Sequence, residues 1–391
     1  MEPTFENTEH AFAHKSLKEL KQSRFLFKVI FKPWVIALAK PLINMALFLH
    51  IPIKWAVKPT VYKYFCGGEN IDDALKIVQK LCSFGVKTVL DFAAEETTSQ
   101  QQAEKTFKQV MEIIQLASEN KSIAFAVFKP SALCRVSILN KVSKNQILST
   151  FEQKEYDTFV SYVDYLCQAA FKNNLPILID AEYASMQNAI DHILWEMMLK
   201  YNQHKAIVFN TLQMYRKDRL AYLKDMYKKA SEHHIYIGVK FVRGAYLEQE
   251  RLWAKEGNYP SPVHETKQAT DNDFNEALAF CMEHLDVFSI FCGSHNEESC
   301  MLLVRRMNEK NVSKNDERIY FSQLYGMSDH ISFNLAFEGY NVAKYVPFGP
   351  VNITIPYLLR RADENKSIGG QVNRELKLIE QTIKQRKNEN R

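Results

Sequence analysis

The chain has no CxxC pair among its seven cysteines, no GxGxxG, no Walker phosphate loop and no uncharged run long enough to cross a bilayer. Each absence removes a class of protein. Cys66, Cys82, Cys134, Cys167, Cys281, Cys292 and Cys300 are odd in number and mostly lie inside apolar runs, which argues for reduced core thiols in a reducing compartment rather than a disulfide framework. Without a glycine fingerprint after any strand-like segment, a Rossmann nucleotide site is not expected. The longest uncharged run, Pro41 to Ile53, falls short of the roughly 20 residues that a spanning helix needs. The first ten residues hold Glu2, Glu6 and Glu9 and no arginine, unlike a secretory signal or a transit peptide. Strong charge is missing too: a net +5 suits small anionic ligands or anionic lipid and is too weak to argue for nucleic acid.

What is present is a globular chain of 391 residues, 46% hydrophobic and 24% charged, large enough for one big domain with an extension or for two domains. From Phe25 to Val61 it is aromatic and basic, with Lys28, Lys32, Lys40, Lys54 and Lys58 and no acid. Pro33, Pro41 and Pro52 are expected to break this stretch into short helices. It reads as an amphipathic arm lying on an anionic membrane surface, or as an arm folded over the rest of the chain with its lysines in water. The two are compatible.

After Gly67-Gly68 the pattern becomes regular. Strands are expected over Lys87–Ala94, Ser122–Lys129, Leu175–Glu182, Ala206–Gln213, Ile235–Arg243, Val287–Ser294, Arg318–Leu324 and Asn341–Val346, each followed by a helical stretch. Eight βα units with continuous apolar strands predict an α/β fold, a parallel (β/α)8 TIM-type barrel with an N-terminal helical arm. The arm would cover 1–66, the barrel 67–370 and a charged helix 371–391. An open doubly wound sheet is the alternative, and it does not so naturally give eight units.

The last unit carries the densest chemistry. Pro356 suits a first helical turn, after which Tyr357, Arg360, Arg361 and Glu364 fall on one helix face. Two guanidiniums and a phenol there make an anion clamp, since the planar Arg fork offers a carboxylate two parallel charge-assisted bonds. A solvated, salt-bridged face is the bland alternative. At the C-terminal ends of the strands, where barrel enzymes keep their sites, stand Glu95, Lys129, Asp180, Glu182, Gln213, Lys240, Arg243, His295, Gln323 and Tyr345. Asp180 and Glu182 could pair on a metal, yet no further His at the strand ends completes a ligand set, so no metal site is assigned and a metal-dependent barrel hydrolase stands as the alternative. A set this cationic suits an anionic ligand with phosphate groups plus a small carboxylate.

Five segments in order, FKPSAL (Phe128–Leu133), LIDAE (Leu178–Glu182), GVKFVRGAYLEQER (Gly238–Arg251), GSHNEES (Gly293–Ser299) and PYLLRRADEN (Pro356–Asn365), resemble proline dehydrogenase. The likeness spans roughly Lys87 to Ser367. It is strongest toward the single-function, mitochondrial-type branch, through VRGAYLEQER and YFSQLYGMSDHISF (Tyr320–Phe333). It implies a (β/α)8 barrel holding FAD, and oxidation of L-proline to pyrroline-5-carboxylate by hydride transfer to flavin N5. By motif match Lys129, Arg360 and Arg361 would bind the carboxylate, Tyr246, Tyr345 and Tyr357 would wall the ring, Asp180 would organise Tyr345 and the flavin edge, and Glu95 would position Arg361. Gln213, Lys240, Val242, Arg243, Gly244 and Ala245 would surround the isoalloxazine and pyrophosphate, with Gly244 allowing close backbone approach. Ser294, His295 and Asn296 would hold the cofactor's other half, Lys267, Thr270 and Asp271 a phosphate or ribose, and Glu364 the adenosine side or Arg361. Bifunctional bacterial relatives carry Arg in place of Lys240 and Trp in place of Leu247. Tyr345 leaves no room for a 4-hydroxyl, so proline is expected over hydroxyproline, the alternative substrate. The resemblance further implies a membrane quinone as electron acceptor and a peripheral place on the bacterial inner membrane, or on the matrix side in mitochondria.

Overall fold

The structure, a computed structural model, describes residues 2–30, 32–49, 53–94, 96–367 and 369–389, with the backbone alone at 30, 33, 44, 46–48, 56, 362–367 and 369–372. Eight strands follow in chain order: β1 Lys87–Phe92, β2 Ile123–Phe128, β3 Ile177–Ile179, β4 Val208–Gln213, β5 Ile237–Val242, β6 Phe288–Gly293, β7 Ile319–Leu324 and β8 Val342–Phe348. They close into a barrel in that order, with the ladders from β2 through β6 all parallel. The expected (β/α)8 architecture is therefore present. Several helices begin where a side chain takes one of the first free N–H groups. Ser99 caps Gln100–Glu119, Ser149 and Glu152 form a reciprocal capping box for Thr150–Lys172, and Thr266 caps Lys267–Glu283.

The chain forms two compact units, one of Val89–Ser294 with Glu298–Phe321, the other of Met1–Thr88, His295–Glu297 and Ser322–Arg391. In the first, Phe125 on β2 meets Phe209 on β4 at 5.5 Å, Phe291 on β6 at 4.9 Å and Tyr320 on β7 at 5.0 Å, all edge to face. The three phenylalanines come from alternate strands, as the side-chain layers inside such a barrel do. Removing Phe125 to alanine would cost about 3–5 kcal/mol, the range for a large buried aromatic.

In the second unit a single apolar cluster gathers Phe12, Leu20 and Phe65 from the N-terminal part with Ile355, Leu358 and Ile379 from the C-terminal helices. The N-terminal segment is thus integrated into this unit. A buried ion network ties it further: Asp329 meets Lys15 at 2.7 Å, Lys344 at 2.8 Å and His14 at 3.2 Å. Burial alone would raise the Asp329 carboxyl, but the two ammoniums hold it well below the ordinary carboxylate value.

Several elements differ from the sequence expectation. Pro41 lies inside one continuous helix, Pro33–Phe48, instead of breaking it. It removes a single backbone bond, and the helix is fastened by packing of Ile36 and Ile43 on the apolar cluster. Two more helices, Val136–Ser143 and Leu247–Glu256, stand beyond the one helical stretch expected after each strand. The third strand shrinks to three residues, and the helix of the fifth unit begins at Lys267, four residues before Asp271. The arginine helix runs Val351–Ser367, so Pro356 stands inside it and not in its first turn. β8 continues to Phe348 with all seven residues buried, so Tyr345 lies within the strand and not at its end.

The Pro33–Phe48 helix leaves one face uncovered. Trp34, Leu38 and Leu42 are 63%, 60% and 59% exposed, and Met45 and Leu49 continue the stripe. Among the described residues no helix is long and apolar enough to cross a membrane.

Candidate active site

In the Val89–Phe321 unit, the strand ends place cations against carboxylates. Lys129 follows β2 directly and is buried; its Nζ donates to both oxygens of Asp91 on β1, at 2.9 and 2.7 Å. Asp91 is almost wholly buried, which pushes its carboxyl above the ordinary value while the Lys129 ammonium pulls it back. The sequence reading missed Asp91. Its signal was an acid inside the otherwise apolar run of β1, where a buried charge must have a partner.

Asp180 follows β3 and continues its ladder, donating its N–H to the Phe128 carbonyl at 3.0 Å. Its side chain accepts from Lys240 on β5 at 2.6 Å. Glu182 is buried and turned elsewhere: it accepts from the Ser131 backbone at 2.9 Å and the Ser131 hydroxyl at 2.5 Å. Burial, opposed by those two bonds, lifts its carboxyl to about 7. The two acids are thus committed to separate partners. Among the described residues no three His, Cys, Asp or Glu gather to hold a metal ion.

The residues after β5 form a half-buried run, Val242 to Tyr246. Arg243 donates to Asp271 at 2.6 Å, Ser294 at 2.9 Å and Ser299 at 3.0 Å, and its guanidinium lies 4.5 Å from the Phe274 ring centroid. Burial works against ionising Asp271, yet the bonds from Lys267 and Arg243 hold its carboxyl below the ordinary value. Gly244 has φ +126°, and a Cβ there would stand 1.8 Å from the Tyr215 ring. The glycine is therefore required by Tyr215 as well as by any ligand. Tyr246 stands just before the Leu247–Glu256 helix, with its ring 4.6 Å from Tyr183, which in turn lies 4.8 Å from Trp253. Glu250 ties that helix down by accepting the Ala184 N–H at 2.7 Å, another contact the sequence did not disclose.

Gln213, at the end of β4, is buried. Its amide donates only a long 3.5 Å bond to the Ala181 carbonyl, and its Oε1 has no partner among the described residues. An acceptor left this way marks a place for an external donor. Together with the Arg243 cation and the open Val242–Tyr246 backbone, it fits a polar, phosphate-bearing cofactor. Lys267 is exposed at the first turn of its helix, while the Thr270 hydroxyl turns back to the Thr266 carbonyl at 3.5 Å. Ser294, buried after β6, serves Arg243.

In the other unit, His295 Nδ1 is 2.9 Å from the Ser328 hydroxyl, and Asn296 follows it, half-buried. Tyr345 is buried on β8, its carbonyl accepting the Tyr325 N–H at 2.9 Å. On the Val351–Ser367 helix, Tyr357 and Arg361 are buried and Arg360 is half-buried. The Arg361 guanidinium lies 5.1 Å from the Tyr357 ring centroid, the stacked i,i+4 pair that the sequence spacing predicts. Arg361 is therefore not a solvated surface charge. Glu95 and the side chain of Glu364 lie outside the described residues.

Comparison with known proteins points to one family. The family model described as proline dehydrogenase matches residues 74–374. A carbapenem antibiotics biosynthesis protein, CarD, of Pectobacterium carotovorum subsp. carotovorum is 32% identical, over 83% of this chain and 84% of its own. The mitochondrial proline dehydrogenase 1 of Dictyostelium discoideum is 30% identical, over 97% of this chain and 74% of its own. Among solved structures, proline utilization A from Bdellovibrio bacteriovorus superposes with a TM-score of 0.72 at 20% identity, over 91% of this chain. The chain spans 38% of that longer protein, and at this identity the likeness speaks for the fold.

Proposed function

This chain belongs to the proline dehydrogenase family, and on that premise we propose that it oxidises L-proline to 1-pyrroline-5-carboxylate with FAD as hydride acceptor, the first step of proline catabolism. Bound FAD would supply the electron sink at its N5. What remains for the chain is to bind, orient and neutralise.

The observation that carries this reading is the set of cations held ready by carboxylates, Lys129 on buried Asp91 and Lys240 on half-buried Asp180. A lysine fixed this way keeps its position, so a substrate carboxylate meets a preset partner. Lys129, Arg360 and Arg361 are assigned to that carboxylate, with Glu95 steadying Arg361. Tyr246, Tyr345 and Tyr357 are assigned to the apolar ring. Asp180 and Lys240 are assigned to the flavin edge, where an ion pair sets the local field. Arg243, with Ser294, suits the pyrophosphate, and Gln213 offers its free acceptor to a flavin N–H. Val242, Gly244 and Ala245 contribute backbone, while His295, Asn296, Lys267, Thr270 and Glu364 are assigned to the rest of the cofactor. No side chain is assigned as general base, since the amine can lose its proton to water.

Residues 67–370 would form the catalytic barrel, 1–66 a docking arm and 371–391 a closing helix. With no NAD motif in the sequence, the electrons are assigned to a membrane quinone. The exposed stripe from Trp34 to Leu49, flanked by lysines, supports peripheral contact with an anionic membrane, the bacterial inner membrane or the mitochondrial one. The test is proline-dependent reduction of a soluble quinone analogue by the purified protein. Turnover with proline supports the reading; metal-dependent hydrolysis without flavin would replace it.

A further inference from the structure

The smaller unit contains a cavity of about 450 Å³ that proline oxidation leaves unused. That volume is within the roughly 300–1,000 Å³ of small-molecule sites. Leu26, Pro59, Ile77 and Leu81 supply apolar wall. The buried charges at its floor neutralise one another: Lys15 meets Asp329 at 2.7 Å and donates to the Tyr64 hydroxyl at 3.2 Å. The rim is different. Lys18, Lys21 and Lys63 line the cavity, all three are exposed, and none has a carboxylate partner among the described residues. Glu19, the one acid beside them, is taken by Lys80 at 3.0 Å. Phe25 belongs both to the cavity lining and to the exposed apolar surface, at 56% exposure, and that surface continues along the chain through Val29 and Trp34.

An apolar interior, a surplus of cations at the rim and continuity with an apolar face specify an anionic head on a hydrocarbon body. We propose that this cavity takes one acyl chain of an anionic phospholipid, with the phosphate at Lys18, Lys21 and Lys63. The site rests on the membrane-docking reading above and deepens it: the stripe supplies general adhesion, and the cavity selects the lipid. A zwitterionic headgroup brings its own ammonium to the same three lysines and is disfavoured by like-charge repulsion. A second copy of this chain as occupant would need an acidic, apolar complement, and would show as dimerisation in the experiment that follows.

The test uses the FAD-loaded full chain and lipids that stay monomeric in water. Calorimetric titration with dihexanoyl phosphatidylglycerol should give one site, and dihexanoyl phosphatidylcholine should bind at least tenfold more weakly. Ile77→Trp, which fills the cavity, should abolish binding, and the triple variant Lys18→Glu, Lys21→Glu, Lys63→Glu should remove the preference for the anionic lipid. Both should keep proline oxidation with a soluble dye, which reports a folded enzyme. The Leu38→Glu, Leu42→Glu variant should lose vesicle flotation yet still bind the soluble lipid, so the cavity and the stripe are judged separately. Equal affinity for the two lipids, no binding of the anionic one, dimerisation in its place, or unchanged binding by either cavity variant would overturn the proposal. A wild-type chain that fails to float on any vesicle would remove the docking reading, and the soluble titration would still decide the cavity.

Discussion

Replacing Asp91 by Asn tests how the site is built. Asp91 is 1% exposed and both its oxygens lie within 2.9 Å of the Lys129 ammonium. Asn keeps the shape and removes the carboxylate charge that faces the buried ammonium. Breaking a buried pair from one side costs about 3–5 kcal/mol. At about 2.1 cal/mol/K per residue over 391 residues, that is roughly a 4–6 °C drop in Tm for a chain that melts as one unit. Activity should fall as well. A lysine that loses this carboxylate is no longer held in place, and its bond to a substrate carboxylate, worth about 1.5–3 kcal/mol, weakens or disappears. The expected result is a loss of about 10- to 150-fold in kcat/KM, carried mostly by KM. Thermal unfolding and steady-state kinetics on dye reduction read the two effects. The double variant Asp91→Asn, Lys129→Met should regain much of the stability and none of the activity. An unchanged Tm and KM in Asp91→Asn would refute the reasoning, since Lys129 would then be placed by something else.

Other outcomes follow from the same geometry. Glu182 titrates near 7 in the fold against about 4.5 in the open chain, so its stabilising share is complete below pH 4.5 and is lost as pH rises through 7. Wild type should therefore lose about 3 kcal/mol relative to Glu182→Gln between those limits, read by denaturant titration across pH; parallel curves would remove the claim. Gly244→Ala puts a methyl into the Tyr215 ring at a positive φ and should release flavin and lower Tm, visible as a reduced ratio of yellow absorbance to protein. Arg361→Lys loses the planar fork that lies over Tyr357 and should raise KM for proline about tenfold or more, with unaltered KM removing the clamp. Tyr345 should give proline a higher kcat/KM than trans-4-hydroxyproline, and the reverse order would overturn that specificity argument.

The barrel was legible because the strands are short, largely apolar runs and several of the long helices carry a capping residue such as Ser99 or Ser149. The Arg361–Tyr357 pair was legible because helical spacing is a local property. What stayed hidden was set by contacts distant in sequence. Asp91 and Lys129 stand 38 residues apart and meet only when β1 and β2 lie side by side. Pro41 was expected to break its helix, but tertiary packing at Ile36 and Ile43 outweighs one lost backbone bond. The Leu247–Glu256 helix stayed hidden because it is held by partners distant in sequence, Tyr183 against Trp253 and the Ala184 N–H on Glu250. Gly244 was assigned to a ligand on motif grounds, while its backbone also answers to Tyr215.

The most direct measurement is an anaerobic absorption titration of the purified protein with L-proline. The resting protein should show flavin bands that bleach as proline is added, in proportion to the flavin bound. A colourless protein, or flavin bands that proline leaves unchanged, would contradict it.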